Sequence, residues 1–294
     1  MLKHWEDWQT IAYMVALSAL LALQWQGEQF NPILYGLTLF FSFSVSIMHH
    51  NHCHRALWQS KWANNLTDYW YTMFQGQPGF VFKIFHNQNH HQHCNGLADH
   101  TRTYRYRDDN SLIGFIRHPF ECVATLAPLG IAHLRQLRQR NRAEWNRIMR
   151  QYVALSGWNI SFLIWDWERA FVYVIAPQLF ALFWLLAANY LQHAHTDDRD
   201  FFRSSRNFTG LVNPLCFNIG YHTAHHLRGS LHWSRLRDVH RSIAARIDPA
   251  FIEPSLAWYM LRVFVLGLVH PNLKSQSPRE WQTSDAYREK GKLL

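Results

Sequence analysis

Apolar residues are concentrated in four runs that are separated by long polar stretches. The runs cover residues 11–25, 33–48, 152–165 and 170–190. About 20 apolar residues are needed to cross a bilayer, with roughly 17 as the lower end, so the first and third runs are short for a straight span. Each of them is nevertheless joined to the next run by only a few residues. The pattern therefore predicts two helical hairpins, each of which crosses a membrane and returns.

The distribution of charge predicts the orientation of these hairpins. The segment 134–151, just before the third run, carries six Arg against one Glu. The two hairpin tips carry Glu28 in one case and Asp166 with Glu168 in the other. Cytoplasmic segments next to membrane spans are enriched in Lys and Arg. We therefore expect both tips to face outward, and both termini and the long polar segments to be cytoplasmic.

Composition narrows the protein class without changing this picture. The chain has 294 residues, 48% of them hydrophobic and 16% aromatic, and it shows no internal repeat or flexible linker. No short apolar segment with a cleavage site precedes the first run, so a cleaved signal peptide is not expected. The net charge of +9 fits arginines beside anionic headgroups better than a nucleic-acid partner. The expected fold is an all-α integral membrane protein in one domain, 1–294. It has four transmembrane helices in two hairpins and a cytoplasmic helical cap.

Histidine is the residue type that points to chemistry. Thirteen of the twenty histidines lie in four patches, at 49–54, 86–93, 193–195 and 222–226. Residues four apart share a helix face, and this spacing occurs at the predicted ends of membrane helices or close to them. Unpaired imidazoles are costly to bury, and a metal ion would satisfy them. The patches therefore predict a metal centre on the cytoplasmic side.

The number of histidines and their neighbours limit the choice of metal. One tetrahedral zinc takes at most four ligands, whereas about nine well-spaced histidines suit two metals. HExxH and HxxEH are absent and no Glu lies inside a patch, so the general base of a zinc hydrolase is missing. A metal transporter would carry ionisable residues within its spans, and these runs are almost free of charge. A redox-active pair of iron ions fits best, with the zinc hydrolase and the transporter as remote alternatives.

The histidine pattern resembles a known family. HxxxH, HxxxHH and HxxHH beside two membrane hairpins resemble the membrane fatty acid desaturase and hydroxylase superfamily, over roughly residues 10–245. The stretch NYLQH at 189–193 resembles the Asn-Tyr-x-x-His stretch of alkane hydroxylases and the Asn-x-x-x-His stretch of acyl desaturases. The resemblance implies two Fe²⁺ ions, with no catalytic residue beyond the metal centre. The implied ligands are His50, His54, His86, His90, His91, Asn189, His193, His222, His225 and His226. His49 is the alternative to His50, since HxxxxH also occurs in the family.

Further residues are expected around these ligands. Metal-bound imidazoles usually donate their other N–H to a carboxylate or carbonyl, and the candidates are Asp68, Asp99 and Asp197. Near the second patch, Lys83, Arg102 and Arg105 could bind a substrate headgroup, or they could simply be cytoplasmic cations near lipid.

The resemblance implies O2-dependent attack on an unactivated C–H bond of a long-chain fatty acyl or lipid substrate, with desaturation favoured. Hydroxylation of a fatty acid or alkane, alkene-forming decarboxylation and carotenoid oxygenation use similar centres and stay open, as does the carrier of the acyl chain. The sequence contains no CxxC pair of the rubredoxin type and no fused haem-domain motif. A separate ferredoxin, rubredoxin or cytochrome with its reductase is therefore implied. The arginines of 135–150 could dock such an acidic partner.

Overall fold

Residues 1–278 are described by the computed structural model, and this part of the chain is mainly helical. It forms two units, residues 1–83 with 127–185, and residues 84–126 with those from 186 onward. The single domain predicted for 1–294 stays a prediction, and its last residues, 279–294, lie outside the described part.

Each of the four apolar runs lies within a long helix, as predicted. The first six helices are α1 (Trp8–Gln26), α2 (Pro32–His54), α3 (Lys61–Gln75), α4 (Leu112–Arg140), α5 (Arg142–Trp165) and α6 (Trp167–His193). Helix α6 is continuous but contains a π-helical segment, Phe171–Ile175. A second π-helix, Phe82–His90, precedes a short α-helical turn, His91–His93.

Two of these helices are long and apolar enough to cross a membrane. They are α2, with 23 residues, and α6, with 27 residues. Helix α5 has 24 residues, but its last 18 include Arg150, Gln151 and Asn159, which keep their mean hydropathy low. Among the described residues, only α2 and α6 qualify by length and composition, so α1 and α5 as further spans stay predicted.

The two hairpin tips meet at one end of the first unit. Asn31 caps α2 by accepting the backbone N–H of Ile33 at 3.0 Å. Asp166 alone separates α5 from α6 and caps α6 by accepting the N–H of Arg169 at 3.0 Å. The Arg169 guanidinium donates in turn to the carbonyl of Trp25, near the end of α1. Both tips therefore lie on the same side of this unit.

Polar side chains join the apolar helices of the first unit. Gln24 on α1 donates to the Thr38 hydroxyl on α2 at 2.7 Å. Ser46 on α2 donates to the carbonyl of Ala181 on α6 at 2.7 Å. Gln178 on α6 donates to the Asn159 side chain on α5 at 2.9 Å. Apolar side chains pack around these contacts, chiefly Leu21, Trp25, Ala170, Tyr173 and Val174.

The second unit consists of short elements around its own core. Its helices are α7 (Val212–Leu215), α8 (His222–Leu227), α9 (Leu236–Ile243) and α10 (Leu256–Val269), besides the first part of α4 and the end of α6. Strands β1 (Asn207–Phe208) and β2 (Ile252–Glu253) pair in parallel. Six 3₁₀ turns of the described chain are Trp5–Asp7, Phe201–Arg203, Trp233–Arg235, Ala244–Arg246, Pro249–Phe251 and Pro271–Leu273. The core of this unit includes Tyr221, Ala224, Leu236, Ile243, Ile247 and Phe251.

Candidate metal centre

The second histidine patch lies on the π-helix Phe82–His90 and the turn that follows it. A π-helix is bonded from residue i to i+5, which brings residues five apart to the same side. Nε2 of His91 accordingly lies 3.1 Å from Nε2 of His86. His90 belongs to a different group of histidines. The rings of His86 and His90 still stack, with centroids 5.2 Å apart, as their i, i+4 spacing predicts, and the π-helix adds the i, i+5 pairing.

Four histidines of the second unit converge on one point. His90 ends the π-helix, His193 ends α6, and His222 and His226 lie four residues apart on α8. One ring nitrogen from each lies within 4.8 Å of those of the other three. Nε2 of His193 is 2.9 Å from that of His222, and Nε2 of His226 is 3.1 Å from the same atom. We call this set the four-histidine group.

The outer nitrogens of this group have partners of three kinds. Nδ1 of His90 lies 2.7 Å from a carboxylate oxygen of Asp99. Nδ1 of His193 lies 2.9 Å from the carbonyl oxygen of Ser204. Nδ1 of His226 lies 3.6 Å from Sγ of Cys94, a thiol whose pKa is raised by burial to about 11. Each partner can accept a proton from Nδ1 and so fix the tautomer.

This arrangement fits a cation. A neutral imidazole has a single N–H, and in three of the four rings Nδ1 faces an acceptor. The Nε2 atoms that converge then carry lone pairs, which repel one another unless a positive ion lies among them. His90 is 1% exposed, His193 0% and His222 3%, so water does not replace the ion easily. The nitrogen-only donor set is suited to zinc, iron, copper or nickel.

A second set, the three-histidine group, adjoins the first. It comprises His86, His91 and His225, and Nε2 of His91 lies 2.9 Å from Nε2 of His225. The ring centroids of His91 and His226 are 4.7 Å apart. Helix α8 therefore offers His225 to one group and His222 with His226 to the other. The HxxHH spacing serves two neighbouring groups because its members lie on two adjoining sides of a helix turn.

The first patch ends α2 in the first unit. The rings of His50 and His54 face one another with centroids 4.7 Å apart, as residues four apart on a helix do. His49 lies elsewhere: its Nδ1 contacts Oε1 of Gln75, and its ring stacks on Tyr71 at 4.9 Å. His49 is thus fully buried in a polar–aromatic site of its own.

Asn189, on α6, lies between the four-histidine group and a histidine outside all four patches. Its Nδ2 is 3.5 Å from Nε2 of His90, and its Oδ1 is 3.2 Å from Nε2 of His118. Burial lowers the pKa of His118 to about 4, so this ring is neutral at pH 7. The sequence pattern does not single out His118, because no other histidine lies within one helical turn of it on α4. The signal that could have identified His118 is its i, i+4 spacing from Cys122, which places two polarisable side chains on one face of the helix.

The predicted outer carboxylates differ in what they contact. Asp99 bonds His90, as described above. Asp68 lies 3.4 Å from Nε2 of His52 and 3.6 Å from Arg147. Asp197 accepts from the guanidinium of Arg199 at 3.0 Å. Asp68 and Asp197 are therefore engaged with residues outside the predicted ligand set.

The three predicted headgroup cations also have protein partners. Lys83 lies 2.9 Å from Glu144 and its side chain is 55% exposed. Arg102 is 5% exposed, and its guanidinium donates to the carbonyl of Leu97. Arg105 donates to the carbonyl of His100 at 3.1 Å. Of the three, Lys83 has the solvent exposure that a headgroup contact requires, whereas the Arg102 guanidinium is used inside the protein.

Comparison with known proteins agrees with the histidine geometry. A family model described as fatty acid desaturase matches residues 29–258, which is more than three quarters of the chain and includes all four patches. No curated protein matches the chain, and no solved structure does. The chain therefore belongs to the fatty acid desaturase family, whose members are membrane-associated oxidoreductases.

Proposed function

We propose that the protein is an O2-dependent di-iron oxidoreductase that removes hydrogen from an unactivated C–H bond of a long-chain fatty acyl or lipid substrate. The observation that carries this proposal is the convergence of four buried Nε2 atoms beside a second group of three. Family membership supports the acyl substrate. Bound iron would supply the redox chemistry with O2, and the protein supplies binding, orientation and electrostatics.

The ligands follow from the two groups. His90, His193, His222 and His226 would hold one ion, with Asn189 beside them. His86, His91 and His225 would hold the other. The resemblance of the sequence to the family adds His50 and His54 as proposed ligands. His50 is preferred to His49 because its ring faces His54, whereas the ring of His49 is occupied by Gln75 and Tyr71. Asp99 and the Ser204 carbonyl would keep the Nδ1 protons of His90 and His193 in place.

Desaturation is the favoured outcome, because the family is one of fatty acid desaturases. Hydroxylation of a fatty acid or alkane is the second candidate, supported by the NYLQH stretch and by the place of Asn189 beside His90. Alkene-forming decarboxylation and carotenoid oxygenation use the same kind of centre. These outcomes differ in where the substrate carbon is held. Lys83, Arg102 and Arg105 are the proposed headgroup residues, and the side chain of Lys83 is 55% exposed.

The proposed topology has four spans, α1, α2, α5 and α6, with both tips outside. The bond from Arg169 to the Trp25 carbonyl supports a common side for the tips. The polar contacts between helices resemble those that join helices within bilayers. The histidine groups and both termini would then be cytoplasmic, although the C-terminal end lies outside the described residues.

The two electrons that O2 activation requires would come from a separate ferredoxin, rubredoxin or cytochrome with its reductase. The junction of α4 and α5 supports this, because Arg135, Arg138 and Arg140 are exposed there and could face an acidic partner. Arg138 and Arg142 both stack on Trp145, at 5.5 and 4.4 Å. This stacking fixes part of the positive surface in one arrangement.

The experiment is product analysis in aerobic cells that also make a competent electron donor. Lipids, free fatty acids and volatile hydrocarbons are profiled by mass spectrometry for the wild type, for His91→Ala and for the control His133→Ala, which alters a half-exposed histidine on α4. We expect a product with the wild type and the control but not with His91→Ala. A double bond, a hydroxyl or a lost carboxyl then identifies the outcome. Bound zinc, with activity that needs no O2, would instead indicate a hydrolase.

A further inference from the structure

We infer that His118 is a positioning residue that determines which end of the Asn189 carboxamide faces the four-histidine group. The inference rests on the proposed metal centre, and it concerns a residue outside all the histidine patches. Its basis is a short chain of contacts within the second unit, from Cys122 through His118 and Asn189 to His90.

The contacts leave His118 little freedom. Its side chain is 2% exposed, and its ring centroid lies 5.3 Å from that of Tyr190. Nε2 lies 3.2 Å from Oδ1 of Asn189 and 3.3 Å from Sγ of Cys122. Asn189 reaches His90 with its other end, since Nδ2 lies 3.5 Å from Nε2 of His90. One carboxamide therefore bridges His118 and a proposed ligand.

The two ends of a carboxamide differ in what they offer. The oxygen accepts hydrogen bonds and the NH2 group donates them. In the structure the oxygen faces His118, so Nε2 of His118 is the donor and the NH2 group faces His90. A cation held by His90 would favour the opposite arrangement, with the oxygen toward the group and the NH2 group donating to Nε2 of His118.

His118 can serve both arrangements because its proton can lie on either ring nitrogen. When the proton is on Nε2, it is donated to Oδ1 of Asn189. When it is on Nδ1, Nε2 is left to accept from the NH2 group of Asn189. The ring can therefore follow the carboxamide by changing tautomer. An apolar side chain of similar size would hold Asn189 in neither arrangement.

The inference can be tested with cobalt(II). The full-length protein is depleted of metal in detergent and titrated with cobalt(II), and binding is followed by visible absorption. Loss of a hydrogen-bond partner behind a metal ligand weakens metal binding about 10- to 100-fold, so we expect that loss at one of two cobalt sites for His118→Leu. In an Asn189→Ala background the same substitution should have no further effect, because the residue through which His118 acts is gone. His133→Leu, on the same helix, serves as the control and should leave both sites unchanged.

Two amide substitutions make the test independent of packing. The carboxamide of Gln reaches the place where Nε2 of His lies and can present either its oxygen or its NH2 group there, whereas the carboxamide of Asn reaches only as far as Nδ1. His118→Gln should therefore restore cobalt affinity, and His118→Asn should not. This pair decides the question even if His118→Leu does not fold.

The inference is wrong if His118→Leu weakens cobalt binding equally in the wild-type and Asn189→Ala backgrounds, or if Gln and Asn behave alike. With two cobalt sites in the wild type, such a result overturns the role of His118 alone. If the wild type binds no cobalt, the proposed metal centre fails and the role of His118 fails with it.

Discussion

His90 and Asp99 form a buried pair in which Nδ1 of the imidazole lies 2.7 Å from Oδ2 of the carboxylate. The other carboxylate oxygen accepts the backbone N–H of Thr101 at 2.7 Å and its hydroxyl at 2.8 Å. Burial alone would raise the pKa of Asp99, but His90 and Thr101 hold it well below its usual range. Asp99 is therefore ionised, and it keeps the proton of His90 on Nδ1, so that Nε2 presents its lone pair to the four-histidine group.

Asp99→Asn should weaken metal binding at the four-histidine group by about 10- to 100-fold, the usual cost of losing such a partner. The neutral amide removes the negative charge, and its NH2 group can donate to Nδ1, which favours the wrong tautomer. Cobalt(II) titration of the metal-depleted protein measures the effect. Asp197→Asn is the matched control, because its buried carboxylate contacts Arg199 instead of a proposed ligand. Equal losses in both variants would contradict a specific role for Asp99.

Asp197 should instead affect stability, in a pH-dependent way. Burial alone would raise its pKa, but hydrogen bonds from Arg199 lower it below the model-peptide value of 3.8. Because the folded-state pKa is the lower one, the stabilisation is complete above about pH 5 and is lost as the pH falls. Asp197→Asn should lower the free energy of unfolding by about 1 kcal/mol at pH 7 and by much less near pH 3. Denaturant unfolding at both pH values checks this, and a loss that does not depend on pH would exclude the ionic origin.

Position 79 requires glycine, because the ring of His49 lies too close to the backbone there to leave room for a Cβ atom. A Cβ at position 79 would lie 2.6 Å from Nε2 of His49, whose ring is fixed by Gln75 and Tyr71. Gly79→Ala should therefore destabilise the protein by about 1–3 kcal/mol through overpacking. Gly157→Ala is the control, because a Cβ there meets nothing within 4 Å. Gly157→Ala should raise the free energy of unfolding by roughly 0.5–1 kcal/mol, because Ala is favoured over Gly inside a helix. If both variants unfold at the same denaturant concentration, the contact with His49 is not restrictive.

Gln178 should contribute to the association of α5 and α6. Its side-chain NH2 donates to the Asn159 side chain at 2.9 Å and to the carbonyl of Met73 at 2.6 Å, and it is 5% exposed. Its side-chain oxygen also accepts from Nδ2 of Asn159 at 3.3 Å, so three bonds are lost when Gln178 is replaced. Contacts of this kind within membranes contribute about 0.6 kcal/mol on average. Gln178→Ala should therefore reduce stability by about 1–2 kcal/mol, whereas the exposed Gln136→Ala should not. The free energies of unfolding of the two variants are measured in mixed micelles. An equal loss in both would show that the buried hydrogen bonds of Gln178 do not stabilise the protein.

The sequence predicts those parts of the fold that depend on the periodicity and the composition of its residues. The apolar runs become helices, and the His50–His54 spacing places both rings on one side, because both follow from 3.6 residues per turn. The π-helix that pairs His86 with His91 cannot be predicted from the sequence, because the spacing of the histidines does not distinguish a π-helix from an α-helix. The contact of His118 with Asn189 joins two helices distant in sequence, so it depends on tertiary packing. Asp68 lies near the patches in sequence, yet it bonds His52, because the direction of a side chain is set by its own helix.

The two hairpin tips should be accessible from outside the cell. Arg169 bonds the Trp25 carbonyl, which places both tips on one side. The excess of arginine in segment 134–151 predicts that this segment is cytoplasmic. In intact cells, a membrane-impermeant maleimide should label Glu28→Cys, whereas Arg138→Cys should react only after the membrane is opened. The four natural cysteines are half-buried or buried, and the wild type gives their background labelling. Labelling of Arg138→Cys alone in intact cells would indicate the reverse orientation. Labelling of both variants in intact cells would contradict the hairpin topology.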